Sequence, residues 1–182
     1  MNFDKFYYQY INIPYDAADI TRLLEKYPLV ESRFQKMEIA DLAELLPSIF
    51  AWFKENNMEP VQSFLINHAV NFKQDIHIDY TGDPNAPSLA LNFPLNSEAA
   101  ESLTRVYDKL ANQQPRPFAR HQNGVVFNRL DPQQVVKVTE YKSISPVLLN
   151  IRKPHSAWNN TNVLRGVLTF RFKQDPIHLT KE

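Results

Sequence analysis

The segment KQDIHIDYTGDPNAPSLALNFPLN, residues 73–96, decides the fold. Ile76 and Ile78 alternate with His77 and Asp79, and Leu89, Leu91, Phe93 and Leu95 alternate with Ala90 and Asn92. A hydrophobic period of two is the pattern of β-strands. Between the two runs, Thr81, Gly82, Asp83, Pro84 and Asn85 spell a turn. Alternate residues of a strand share a face, so His77 and Asp79 point one way and Ile76 and Ile78 the other. Such a pair can be an ordinary solvated pair on an edge strand. It can also be two ligands offered to a cation by a rigid element. A non-haem iron triad takes two imidazoles and one carboxylate and leaves the remaining positions open, so a second histidine would have to come from elsewhere.

Outward from this segment, the chain divides into a helical start and a β remainder. Asp16 is placed to cap a helix whose Ile20, Leu23, Leu24 and Tyr27 fall on one face and which Pro28 stops. A second helical stretch runs from Ile39 to Asn56, and Pro47 must kink or split it. From Pro60 onward alternation takes over: Phe64, Ile66 and His68 against Ser63, Leu65 and Asn67, then 135–139, 147–151 and 166–172. Residues 97–112 suit either a helix or a strand. The sequence predicts one α+β, mainly β domain over 1–182, with a helical flank at 1–58, a β core at 60–172 and a frayed tail at 173–182. The aromatic-rich FDKFYYQYINIPY near the start is expected to pack into the core, with a cover over the barrel or a dimer face as alternatives.

Composition narrows the chemistry. With 20 basic and 20 acidic side chains the formal net charge is zero, so nothing points to a nucleic-acid backbone. The apolar runs are too short to span a bilayer, and no signal peptide is evident, which predicts a cytoplasmic protein. No cysteine is present, which removes disulfides, thiolate nucleophiles and cysteine-ligated metals. A metal site must be built from His, Asp and Glu.

Four further histidines compete for the third ligand position. His178 lies in the tail, His121 in a loop-like stretch, and His68 on a strand where it suits a hydrogen-bonded core role. His155 stands between two strands in VLLNIRKPHSAWNNTNVLRGVLTFRF, ten residues before Arg165. An arginine opening an apolar strand calls for an anion, either a protein carboxylate or a ligand.

His77-x-Asp79, His155 and Arg165, in that order, resemble the motif of the 2-oxoglutarate- and Fe(II)-dependent oxygenases. HIDYTGDPNAPSLALNFPLN and KPHSAWNNTNVLRGVLTFRF are similar to the ligand-bearing and terminal strands of small bacterial and phage members and of the aspartyl/asparaginyl β-hydroxylase-like branch. The likeness covers about residues 60–172. It implies a double-stranded β-helix, a jelly-roll-like barrel of eight core strands. It implies Fe(II) on His77, Asp79 and His155, and 2-oxoglutarate as co-substrate with its far carboxylate on Arg165. Arg171 shares Arg165's face by even spacing and is the alternative for that contact. Asn92 and Asn150 are candidates for further co-substrate hydrogen bonds. Where the family often has Ser or Thr two residues after the arginine, this chain has Val167. The implied reaction uses O2, releases succinate and carbon dioxide, and hydroxylates an unactivated C–H bond of a small metabolite, amino acid or peptidyl side chain. Tyr80, Trp158 and Asn159 flank the ligands and are candidates for the mouth. Two other classes compete: an inert jelly roll acting as a binding or phage accessory protein, and a cupin-type metalloenzyme that uses no keto acid. The oligomeric state is not legible.

Overall fold

The computed structural model describes residues 5–79, 87–110, 119–120 and 126–180. In chain order the elements are β1 (Tyr8–Tyr10), α1 (Ala17–Lys26), β2 (Phe34–Met37), α2 (Ile39–Leu45), α3 (Pro47–Glu55), β3 (Pro60–His68), β4 (His77–Asp79) and β5 (Leu89–Pro94). There follow β6 (Leu103–Lys109), β7 (Ala119–Arg120), β8 (Val126–Arg129), β9 (Val135–Lys142), β10 (Val147–Asn150), β11 (His155–Trp158) and β12 (Arg165–Phe172).

The helices form for the reasons their sequences give. The Asp16 carboxylate accepts from the Ala18 N–H at 2.9 Å and caps α1. Pro47 splits the second helical stretch and opens α3 as its first residue, where a missing N–H costs nothing. The buried Asp19 of α1 accepts from both the backbone N–H (2.9 Å) and the hydroxyl (2.7 Å) of Ser48, tying α1 to the start of α3, and also pairs with Arg22.

The described strands form two antiparallel six-stranded sheets, in the orders β1-β10-β5-β12-β3-β2 and β7-β8-β4-β11-β6-β9. Eight of these strands make the interleaved core, four in each sheet: β10, β5, β12 and β3 against β4, β11, β6 and β9. This is the double-stranded β-helix. Of residues 97–112, the described stretch 97–110 forms a 3-10 turn at Ser97–Ala99 followed by β6. The short strands β1, β2, β7 and β8 carry no strong alternation and were not legible in the sequence.

The first sheet has two different faces, set by the period of two. One face packs on the helices: Leu65, Leu91, Phe93, Leu148, Leu168, Phe170 and Phe172 meet Leu23, Leu42, Leu46, Ile49 and Phe53 in one buried core. Phe53 packs edge-on against Phe170 at 5.0 Å and Phe172 at 5.3 Å, contacts worth about 0.5–1.5 kcal/mol each beyond area burial. The other face, with Phe64, Ile66, His68, Asn92, Arg165, Val167, Thr169 and Arg171, turns towards the second sheet and a cavity. Gly166 lets the helix side close over the strand: a Cβ there would sit 2.5 Å from Cδ2 of Leu29.

The described part of the aromatic N-terminus packs inward only in part, since Tyr10 and Tyr15 stay exposed. Phe6 joins the main core, and Tyr8 lies 4.7 Å from Tyr141. The tail is held rather than frayed. The Asp175 carboxylate accepts from the Ser88 and Leu89 N–H groups at 2.8–2.9 Å, and the Leu179 carbonyl accepts from Gln9 at 3.0 Å. No helix among the described residues is long and apolar enough to cross a membrane.

Candidate metal centre

The strand register builds the site. In the second sheet His155 of β11 stands directly opposite His77 of β4, so both imidazoles leave the same face. Asp79, two residues along β4, shares that face. His155 opens its own short strand instead of lying in a connection between strands. The ligand atoms of His77, Asp79 and His155 all lie within 4.8 Å of one another. Asp79 Oδ1 is 3.4 Å from His77 Nε2 and 4.0 Å from His155 Nε2, and the two rings are 4.4 Å apart. Small side-chain rotations bring three such atoms onto one cation.

Each ligand is aimed by a further contact. His77 Nδ1 lies 2.8 Å from the Asp75 carbonyl, and His155 Nδ1 lies 2.9 Å from the Lys153 carbonyl. A carbonyl only accepts, so each ring carries a hydrogen on Nδ1 and turns Nε2 towards the cavity. Across the cavity, Arg171 Nη2 donates to Asp79 Oδ2, which leaves Oδ1 turned towards the two imidazoles. Burial and the neighbouring His77 push the His155 ring down to about 4, so it is neutral at physiological pH. Burial opposes the charge on Asp79, but the His77 contact and the Arg171 guanidinium outweigh it and hold that carboxyl well below the usual range. His77 is pulled the other way: burial lowers it, and the bond to Asp79 raises it above the ordinary histidine value.

Arg165 sits on the facing sheet, almost fully buried, in the same cavity of about 410 Å³. Its Nε donates to the Ser143 hydroxyl at 3.1 Å, Nη2 to the Thr104 hydroxyl at 3.1 Å and Nη1 to His68 Nδ1 at 3.3 Å. All three partners are neutral. His68 is pushed down to about 3 by burial and by Arg165, so its Nδ1 accepts and its hydrogen sits on Nε2. Burial also depresses Arg165, to about 10, and it stays a cation at neutral pH. Among the described residues no carboxylate pairs with it. Three of its five donors are used, which leaves one N–H on each terminal nitrogen: a fork fitted to the two oxygens of a carboxylate.

The expected residues therefore fall into place unequally. His77, Asp79, His155, Arg165, Arg171 and Asn92 all line the one cavity. Arg171 engages Asp79, and Asn92 lies 3.4 Å from the Tyr141 hydroxyl. Asn150 does not belong with them. It pairs with Leu89 across β10 and β5, and its neighbours Leu149 and Ile151 are the residues of that segment that line the cavity. Asn150 thus faces the other side, donating to the Phe6 carbonyl at 3.0 Å and accepting from the Arg152 N–H at 3.1 Å. Trp158 is not a mouth residue either: the Arg105 guanidinium lies 4.4 Å over its ring, away from the cavity lining. Tyr80 and His121 lie outside the described residues. Thr104, Ser143 and Tyr141 were missed, because a lone hydroxyl in a strand carries no local signal.

Asn159, also expected at the mouth, is buried structure. Its amide donates to the Ala69 and Val163 carbonyls, each at 2.8 Å, and so fixes the β11–β12 turn against the end of β3. Asn159→Ala is expected to lower stability by about 1–3 kcal/mol, read as a shift of the urea unfolding midpoint, by leaving those carbonyls unpaired.

Two of the donor-set features speak to what the site can hold. Two imidazole nitrogens and one carboxylate oxygen, with no thiolate, suit a divalent first-row metal with open positions. A buried guanidinium with its fork free in the same cavity suits a carboxylate ligand beside that metal.

No protein-family model matches the chain, and no curated protein matches it. Solved structures do. The non-haem alpha-ketoglutarate-dependent carbocyclase SnoK from nogalamycin biosynthesis superposes with a TM-score of 0.56 at 14% identity, over 93% of this chain and 80% of that one. The epimerase SnoN, solved with Fe3+, alpha-ketoglutarate and nogalamycin RO, gives 0.56 at 13% identity, over 93% of this chain and 80% of its own. HygX from Streptomyces hygroscopicus, with nickel and 2-oxoglutarate bound, gives 0.53 at 13% identity, over 93% and 83%. None of these singles out the aspartyl/asparaginyl branch. Strand order, sheet pairing and these superpositions agree that the chain has the double-stranded β-helix fold of the 2-oxoglutarate- and iron-dependent oxygenases.

Proposed function

We propose that the protein is a non-haem Fe(II)- and 2-oxoglutarate-dependent oxygenase that hydroxylates a small organic substrate. The observation that carries this reading is the pairing, within one cavity of about 410 Å³, of a His-Asp-His cluster with a buried arginine that has no carboxylate partner among the described residues. Either half alone has an ordinary explanation. Together they match a metal and a dicarboxylate bound side by side.

In this reading His77 Nε2, His155 Nε2 and Asp79 Oδ1 hold the iron, and Arg165 grips the far carboxylate of 2-oxoglutarate. Bound there, iron and 2-oxoglutarate supply the oxidising chemistry: O2 is consumed, the keto acid becomes succinate and carbon dioxide, and one oxygen atom goes to the substrate. The chain's own residues do the rest. The Asp75 and Lys153 carbonyls lock the imidazole orientations, as second contacts at metal sites do. Arg171 keeps Asp79 charged and single-sided. Thr104, Ser143 and His68 hold the Arg165 fork in one plane, so it is ready before its ligand arrives. SnoK is a carbocyclase and SnoN an epimerase, so the fold accommodates more than one outcome at the substrate carbon. Hydroxylation is the outcome proposed here.

Two assays test the reading. Adding Fe(II) and 2-oxoglutarate anaerobically is expected to give a weak visible charge-transfer band that neither gives alone. Admitting air is then expected to release succinate. Iron uptake with no effect of the keto acid would favour a cupin-type metalloenzyme, and no uptake would favour an inert barrel.

Metal uptake should also depend on pH with a definite sign. The proton that Asp79 holds on His77 must leave before the ring can coordinate, so binding releases one proton. Below the raised value of His77, affinity for Co(II) is expected to fall about tenfold for each pH unit, read by titration between pH 8 and pH 5.5.

A further inference from the structure

The cavity is more basic than its co-substrate needs. Among the described residues, five of its lining side chains are cations, Arg33, Lys73, Arg129, Arg165 and Arg171, against two carboxylates, Asp75 and Asp79. The described lining thus carries a net of three positive charges in a chain whose formal net charge is zero. A divalent cation and a dianionic keto acid cancel one another, so loading the site leaves this excess in place. Arg165 and Arg171 are committed in the interior, and Arg129 pairs with Asp75 at 3.4 Å on the rim. Arg33 and Lys73 remain. Among the described residues neither has a carboxylate partner, and Arg33 spends one donor on the Pro28 carbonyl at 3.1 Å.

The same rim is aromatic. Phe34 and Phe64 lie 5.1 Å apart with their rings tilted by 43°, and Phe72 stacks on His68 at 4.7 Å and 16°. All three phenylalanines line the cavity. Ser32, two residues before Phe34, and Asn71, beside Phe72, both adopt φ of 56°, a left-handed conformation uncommon outside glycine. A volume of about 410 Å³, shared with a keto acid, is at the small end of ligand pockets.

We propose that the substrate is a small aromatic carboxylate, its ring lying among Phe34, Phe64 and Phe72 and its carboxylate directed to Arg33 and Lys73. This rests on the oxygenase reading for the chemistry but not for the binding. A cation-rich rim over a low-dielectric wall concentrates anions, and the rings select a planar body.

The test is a titration of Zn(II)-loaded protein, with 2-oxoglutarate present, using phenylacetate, phenylacetamide and acetate as probes, followed by ligand-observed NMR. Phenylacetate is expected to bind about tenfold or more tightly than either the neutral amide or the ringless acid. The double variant Arg33→Gln, Lys73→Gln is expected to lose that advantage over the amide while keeping its circular dichroism spectrum and its affinity for 2-oxoglutarate. Equal binding of acid and amide, no binding of the acid, or an unaffected double variant would overturn the proposal. Phenylacetate binding without any binding of 2-oxoglutarate would support this inference and count against the proposed function. Binding of 2-oxoglutarate alone would do the reverse.

Discussion

Asp79→Ala is expected to abolish succinate release and to weaken Fe(II) binding by more than about 100-fold. Loss of a contact that only orients a metal ligand typically costs 10–100-fold in affinity, and here the ligand itself is removed. The effect has a second source. Arg171 donates to Asp79 Oδ2, and one of its terminal nitrogens, Nη1, already lies buried with no other partner among the described residues. Without Asp79 the guanidinium stays in the cavity uncompensated, next to where the cation must bind, and repels it. Stability should fall as well, by about 1–3 kcal/mol, since the pair is largely but not wholly buried. The metal effect and the folding effect separate in one experiment: calorimetric titration with Fe(II) under anaerobic conditions, beside a urea unfolding curve of the apoprotein. Unimpaired iron binding in a folded Asp79→Ala protein would remove the carboxylate from the site.

The second large effect falls on Arg165. Arg165→Ala is expected to weaken 2-oxoglutarate binding by about 100-fold to 1000-fold, the loss typical when one partner of a buried charged pair is truncated. Arg165→Lys should lose less, about 10-fold to 100-fold, because the charge survives and only the fork is gone. Iron binding should be unchanged in both. The apoprotein should barely notice the Arg165→Ala change. Three hydrogen bonds to Ser143, Thr104 and His68 disappear, but so does a buried cation without a counter-ion, and the two effects oppose one another. Wild-type protein should gain about 2.7 kcal/mol of stability at a 2-oxoglutarate concentration 100 times its Kd, and Arg165→Ala should gain almost none under the same conditions. Co-substrate dependence that moves with Arg171 and not with Arg165 would reassign the carboxylate contact.

Local pattern made part of this legible. Period-two alternation placed His77 and Asp79 on one face, and even spacing placed Arg171 with Arg165. The capping Asp16 and the splitting Pro47 set the helices, since those effects act within a few residues of sequence. What the sequence did not reveal depends on register between distant strands. Asn92 and Asn150 read alike as polar residues in apolar strands. Only the β5–β10 pairing shows that one faces the cavity and the other the helix side of the sheet. Arg171's engagement with Asp79 spans 92 residues and has no local trace. Nor have the three neutral side chains that take up part of the Arg165 fork, drawn from β3, β6 and the residue after β9. Trp158 ends the ligand strand three residues from His155 and so points to the opposite face, while Asn159 follows the strand and is held in the turn by the Ala69 and Val163 carbonyls, and proximity in sequence misled.

The most direct measurement is a crystal structure of the protein grown with Mn(II) and 2-oxoglutarate, with the metal located by its anomalous scattering. The account predicts one ion bound by His77 Nε2, Asp79 Oδ1 and His155 Nε2, with the keto acid beside it and its far carboxylate paired with Arg165. An ion that lacks any of those three ligands, or a keto acid whose far carboxylate lies away from Arg165, would contradict it.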